Sequence, residues 1–259
     1  MRFSRPPLLI PLGLVALGVV LLLGNFRLID AGTILRFSPA LLIVAGLQLL
    51  LRGDVGLTWQ MQTFGITRGT VRTASLEASA GELDVKIRAL RREGRLIAGQ
   101  YTARSRPELE TRGDHARLFM RRGAAWAFSL ADWEVGLAKD LPWTLLISTH
   151  LGELDIDLAN VRVNQADFAT GFGDIRLILG DGIAGGVRAS STFGHITIVV
   201  PNEVEAVIRV ADRPLARLQV DESRFLMVQP GLYATLGYRE AEGLIYCEVG
   251  STFGVVRVN

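Results

Sequence analysis

Three histidines, a series of closely spaced carboxylates and a single cysteine are the residues whose chemistry has to be weighed first. His115, His150 and His195 lie far apart in the chain. None has a second ligand at helical i,i+4 or Cys-x-x-Cys spacing, so no metal site is assigned. His195 fills the variable position after a recurring glycine, where Glu153, Asp174 and Val255 stand in other copies, and it is expected to face solvent. The carboxylates Glu82/Asp84, Glu153/Asp155/Asp157 and Asp181 offer more. Residues i and i+2 of a strand share a face, so Asp155 and Asp157 could form an acid–base pair or a calcium site. The simpler account is an exposed face with cross-strand charge pairs, supplied by Asp174 and Arg176 on the next repeat.

Cys247 is the only cysteine, which excludes an intramolecular disulfide. In Leu-Ile-Tyr-Cys-Glu-Val it alternates with polar neighbours and reads as a small buried strand residue. The chain has no Gly-x-Ser-x-Gly, no Walker loop and no dinucleotide fingerprint. Gly171-Phe-Gly-Asp resembles half of a glycine-rich loop, but it recurs and no helix follows it. No catalytic or cofactor-binding residue is assigned, no cofactor is expected, and the chain does not read as an enzyme.

Charge leaves one candidate binding surface. Between Lys86 and Arg122, eleven Lys or Arg stand against Glu93, Glu108, Glu110 and Asp114, a local charge of +7 in a chain of net charge +2. Arg88, Arg91, Arg92, Arg95, Arg104 and Arg106 are the expected contacts to anionic headgroups or an acidic partner. Each such contact is worth on the order of 1 kcal/mol close to a membrane surface. The bland alternative is a solvated strand face with outward arginines. Aromatics do not interleave with these cations, so nucleic acid is not the expected partner.

The elements that must hold these residues are announced by a repeated phrase. Gly152-Glu-Leu-Asp-Ile-Asp-Leu, Gly173-Asp-Ile-Arg-Leu-Ile-Leu and Gly194-His-Ile-Thr-Ile-Val-Val begin 21 residues apart. Looser copies start at Gly81 and Gly254. A fixed period of this length marks a stacked β architecture in which each repeat is one rung. Each repeat reads as two strands, such as 154–158 with 161–163, 175–179 with 187–189, and 196–200 with 206–210. Phe172, Phe193 and Phe253 precede equivalent glycines and are expected to stack along one edge. Alternating residues at 71–78, 83–88, 96–103 and 116–120 extend the β pattern toward the N-terminus, and Trp126, Trp133 and Trp143 fall in short strands.

The first fifty residues are of another kind. Pro6 to Gly24 carries no charge, and its nineteen residues would reach about 28 Å as a helix, close to the hydrocarbon thickness. A second apolar stretch, Pro39 to Leu51, spans if its helix begins near residue 31, with Arg36 snorkelling to the headgroups. Leu-Leu-Leu-Gly-Asn-Phe-Arg-Leu is not a small-x-small cleavage site, so a retained hairpin is favoured over a signal peptide. The division expected is therefore a two-helix transmembrane hairpin at 1–54 and an all-β repeat domain at 55–259, clearest over 150–259. Arg2, Arg5, Arg52, Arg68 and Arg72 outweigh Arg27 and Arg36, which places both ends in the cytoplasm.

Two of these segments carry a family resemblance. Leu-Leu-Ile-Pro-Leu-Gly-Leu and Ser-Pro-Ala-Leu-Leu-Ile-Val-Ala-Gly-Leu-Gln-Leu-Leu-Leu-Arg resemble the membrane region of LiaI/LiaF-like proteins. Thr-Gly-Phe-Gly-Asp-Ile-Arg-Leu and Ser-Thr-Phe-Gly-His-Ile-Thr-Ile are similar to the toastrack β-repeat domain of the same group and of adhesin-like proteins. The resemblance implies a bacterial membrane protein whose relatives modulate a two-component sensor kinase under envelope stress, by binding and not by catalysis. It passes on no catalytic residues. The runner-up reading is a surface adhesin or envelope-facing spacer, and a membrane-bound enzyme comes third. A homo-oligomer is also weighed, with Val255-Val-Arg-Val-Asn as the strand exposed at the end of the stack.

Overall fold

The computed structural model describes residues 61–259, except 103–104, 123–131, 212–214, 240 and 242. The expected hairpin at 1–54 and Trp126 lie outside the described residues. Those described belong to one compact unit, 57–259. Its strands are β1 (Met61–Thr67), β2 (Thr73–Ser79), β3 (Val85–Ala89), β4 (Arg95–Thr102), β5 (Glu108–Arg112), β6 (His115–Arg121), β7 (Trp133–Leu137), β8 (Trp143–Leu151) and β9 (Leu154–Asp157). They continue with β10 (Val163–Phe172), β11 (Ile175–Ile178), β12 (Val187–Phe193), β13 (Ile196–Val199), β14 (Ala206–Val210), β15 (Ala216–Val220), β16 (Phe225–Gln229), β17 (Leu232–Thr235) and β18 (Ile245–Val258).

The strands build two facing sheets. Sheet A runs β1-β4-β7-β3-β9-β11-β13-β18-β15, and sheet B runs β5-β6-β2-β8-β10-β12-β18-β14-β17-β16. One rung is a strand of sheet B, a bend, and a strand of sheet A, as in β8/β9, β10/β11 and β12/β13. Neighbouring rungs pair in parallel. Ile175 stands between Leu154 and Ile196, and Phe168 between Ile147 and Ala189. Each sheet buries only its inner face, so its strands alternate although they run parallel. Leu154, Ile156, Ile175, Leu177, Ile196 and Ile198 point inward from sheet A against Leu145, Ile147, Phe168 and Val187 from sheet B.

The order of rungs in space departs from their order in the chain at both ends. The β2/β3 rung sits between β6/β7 and β8/β9. At the other end β18, fourteen residues long, crosses from sheet B into sheet A between β12/β13 and β14/β15. The C-terminal segment expected at an exposed edge is therefore an interior strand. Its hydrophobic residues Val256 and Val258 need neighbours on both sides, and rung β14/β15 supplies the second.

Two further expectations change. The second strands of the first two repeats are longer than read, since β10 runs from Val163 to Phe172 and β12 from Val187 to Phe193, while β14 keeps the expected bounds Ala206–Val210. Buried Thr170 and half-buried Asp167 blur the apolar alternation in β10. The Gly81 phrase is also two residues out of register. Val85 pairs with Leu154, which brings Leu83 level with Gly152. A shift of two preserves which residues face inward, so alternation alone does not detect it.

Hydroxyls bind the rungs at their bends. Thr149 donates to the carbonyls of Gly81 (2.9 Å) and Leu83 (3.2 Å). Thr170 donates to Gly152 (3.2 Å), Ser191 to Gly173 (3.3 Å) and Ser251 to Gly194 (3.0 Å). All four are buried. Each donates to a carbonyl of the neighbouring rung, and so helps satisfy the polar backbone at the bends.

Candidate binding surface

The six arginines do not share one face. Arg88 projects from the outer face of sheet A, with Nη2 3.2 Å from Asp155. Arg91 and Arg92 occupy the turn before β4, Arg95 opens that strand, and all three are exposed without an ion pair among the described residues. Arg106 follows β4 at its far end. The rest of β4, Leu96–Thr102, about 24 Å of strand, lies between it and Arg95. Arg104 is outside the described residues. Elsewhere in the basic segment Lys86, Arg117, Arg121 and Arg122 are engaged, while Arg112 on β5 is exposed without an ion pair among the described residues. Lys86 reaches Asp132 at 2.9 Å, and that hydrogen bond and charge raise its pKa. Arg117 and Arg121 hold Glu77 at 3.2 and 2.9 Å and flank the ring of Phe119. Arg122 is half-buried with its Nη1 3.9 Å from Glu82, and desolvation lowers its pKa. The cluster that stays exposed and unpaired is Arg91, Arg92 and Arg95.

The carboxylates serve the surface of the stack. Asp155 accepts from Arg176 (3.3 Å) as well as Arg88, so one carboxylate links cations of β3 and β11 across β9. Asp157 turns back to accept from the N–H of Ala159 at 3.0 Å. Among the described residues, no group of three or more His, Cys, Asp or Glu side chains is arranged to hold a metal ion. His115 lies between the hydroxyls of Thr73 (2.9 Å) and Ser75 (3.2 Å), and His150 is exposed on β8.

His195 is exposed, as its place in the repeat suggests, and it joins a second ladder at the bends. Asp84 accepts the N–H of Glu153 and Asp174 that of His195, both at 2.7 Å, while His195 Nδ1 accepts the N–H of Val255 at 3.1 Å. That acceptance needs a neutral ring with its proton on Nε2. A carboxylate would do the same without this requirement. His195→Asp is expected to stabilise the domain by about 0.5 kcal/mol and His195→Leu to destabilise it by a similar amount. Urea unfolding of both variants at pH 6 checks this, and an unstable Asp variant would contradict it.

Phe172, Phe193 and Phe253 form a stack along one edge, with ring centroids 4.7 and 4.6 Å apart and interplanar angles of 6° and 3°. Leu151 pairs level with Phe172 and extends the row. The rings are 40–54% exposed, yet their faces cover one another, so the row offers edges to a partner and no free π-face within the stack. Cys247 is buried in β18, as its alternation suggests, and burial, aided by Glu248, pushes its thiol up to about 12.

Residues 9–76 match the family model described as the LiaF transmembrane domain, and residues 70–198 match that of the N-terminal domain of toast_rack, DUF2154. The chain is a LiaF-like transmembrane region joined to a toastrack domain. The first match makes it a membrane protein, and the second accounts for the β-solenoid. The toastrack fold is shared with a candidate cell adhesion protein of Clostridium sporogenes, at a TM-score of 0.68 and 15% identity, covering 77% of this chain and 98% of that one. At that identity the likeness is one of fold. A candidate adhesin of Bacteroides fragilis overlaps 78% of this chain and 98% of its own at 9% identity, with a TM-score of 0.34 that carries no argument. No curated protein matches the chain.

The buried hydroxyl ladder does not show in the apolar alternation of the strands. Its signal is a Ser or Thr three residues before each glycine, at Thr149, Thr170, Ser191 and Ser251. The toastrack bends repeat it because each glycine carbonyl needs a donor.

Proposed function

We propose that this protein is a membrane-anchored, non-enzymatic interaction protein that regulates or scaffolds envelope-stress signalling in a bacterium. A two-helix hairpin at 1–54 anchors it and meets the membrane helices of a sensor kinase. The toastrack domain at 55–259 stands in the cytoplasm and presents a broad surface, each rung 21 residues long. The joining of a LiaF transmembrane match directly to a toastrack match carries this reading. The pairs Leu154–Ile175 and Ile175–Ile196 support the period, because residues 21 apart lie side by side. Arg91, Arg92 and Arg95 supply the contact to anionic headgroups. A second reading, an adhesin or envelope-facing spacer, is favoured by the fold shared with the candidate cell adhesion protein, and it requires the opposite orientation or cleavage of the N-terminus.

Topology separates the two. Cys247 is buried and its thiol is held protonated, so it stays silent toward a maleimide at neutral pH. Asp181 is exposed in the turn after β11, and Asp181→Cys adds a reporter there. Labelling of that variant by a membrane-impermeant maleimide only after lysis is the expected result. Labelling in intact cells would overturn the signalling orientation and favour the adhesin.

A further inference from the structure

We propose that the phenylalanine edge of the toastrack domain is a self-association surface, on which a second copy of this chain lies antiparallel about a two-fold axis through Phe193. The row is longer than its three rings. Leu151 precedes Phe172 in it, and Leu215 follows Phe253, because Ala216 pairs with Gly254 and brings the residue before it level with Phe253. Leu151, Phe172, Phe193, Phe253 and Leu215 are 40–60% exposed. Four rung spacings make the row about 19 Å long. Exposed apolar residues in a continuous line are the mark of an interaction site, unlike single ones scattered over a surface.

Charge beside the row selects the occupant. Two residues on from each of the first four members stand Glu153, Asp174, His195 and Val255, and Arg217 pairs level with Val255. This flank is acidic at its Leu151 end and cationic at its Leu215 end. An axis perpendicular to the row and lying in the contact plane turns one copy end for end while keeping the flanks on the same side. Glu153 then meets Arg217 of the other copy, and the pair occurs twice. Phe193 meets Phe193, Phe172 meets Phe253, and Leu151 meets Leu215. A patch that is complementary to itself in this way closes as a dimer and stops there. A bilayer would match the apolar row but gain nothing from opposite charges at its two ends. The membrane tether confines copies to one surface, so a short interface suffices to bring them together.

This contact differs from the terminal strand weighed in the sequence, which is interior. Thr192 is exposed next to Phe193 and close to the proposed axis, so Thr192→Cys leaves the row intact. In membranes carrying the full chain, a short bis-maleimide should join two copies of Thr192→Cys into a species of twice 28.2 kDa. Thr111→Cys, on exposed β5, should not be joined. Adding Glu153→Arg to Thr192→Cys should lower the joined fraction roughly fivefold, since two rim pairs are lost. Adding Arg217→Glu as well should restore it. The proposal is overturned if Thr192→Cys joins no better than Thr111→Cys, or if Glu153→Arg has no effect. Failure of Arg217→Glu to restore joining would also overturn it, as would quenching of a fluorophore at Thr192→Cys by brominated lipid, which would assign the row to the bilayer.

Discussion

Gly194→Ala is expected to destabilise the toastrack domain by on the order of 4 kcal/mol, enough to leave much of the protein unfolded at 37 °C. Gly194 has a φ of 154°, where an L side chain is rarely found, and an added Cβ would overlap the carbonyl oxygen of Gly173. That oxygen cannot retreat, because it accepts the hydroxyl of Ser191, which belongs to the same rung as Gly194. Gly173 against Gly152, and Gly254 against Gly194, repeat the arrangement. Gly243 is the contrasting case, since a Cβ there meets nothing within 4 Å. Gly243→Ala should therefore stay within about 0.5 kcal/mol of the wild type. Urea midpoints of the two variants settle the matter, and equal values would remove the close approach of bends as a determinant of stability.

Trp143→Ala is the second large loss, about 3–5 kcal/mol. The side chain is fully buried at the start of β8, level with Val163 on one side and Ala74 on the other. Its Nε1–H donates to the carbonyl of Ala138 at 3.0 Å, closing the connection from β7 to β8. The alanine variant forfeits the ring and leaves that carbonyl without its donor. Trp143→Phe keeps most of the volume and loses only the donor, so it should cost about 1–3 kcal/mol. Calorimetric unfolding of both variants distinguishes packing from hydrogen bonding. A phenylalanine variant as unstable as the alanine one would mean that the hydrogen bond outweighs the packing.

The stacked, all-β character of the domain was legible because a solenoid restates its instructions at every rung. Gly152, Gly173 and Gly194, with the phenylalanines before the last two, fall at equivalent points because each glycine Cα packs on the carbonyl of the preceding bend. The exposed position of His195 and the burial of Cys247 followed from the same alternation. The order of the rungs was not legible. Val256 and Val258 show that they are buried, but not that their neighbours are Ile196 and Ile198 on one side and Leu218 and Val220 on the other. That pairing joins residues 60 apart along the chain on one side and 38 apart on the other, and it depends on the whole stack. The two-residue shift at Gly81 was hidden for a related reason, since inward and outward faces survive it. The arginines were legible as charge and not as a surface. Which of them remain unpaired depends on partners such as Asp155 and Asp132 that only the fold brings near.

The insertion of β18 between β12/β13 and β14/β15 bears on how the molecule is made. A nascent chain emerges from its N-terminus, and most solenoids can add rungs in the order of synthesis. Here the fourteen residues of β18 form the inner neighbour of the β14/β15 rung, which precedes them in the chain. Until they emerge, β12 and β13 lack their next strand, and β14 and β15 have none on that side. The β12/β13 and β14/β15 rungs therefore close only once β18 has been made, by a long-range contact of the kind that slows folding. Synthesis of β18 thus acts as the checkpoint for this fold, and a premature stop codon anywhere before Ile245 yields a stack with a missing tread.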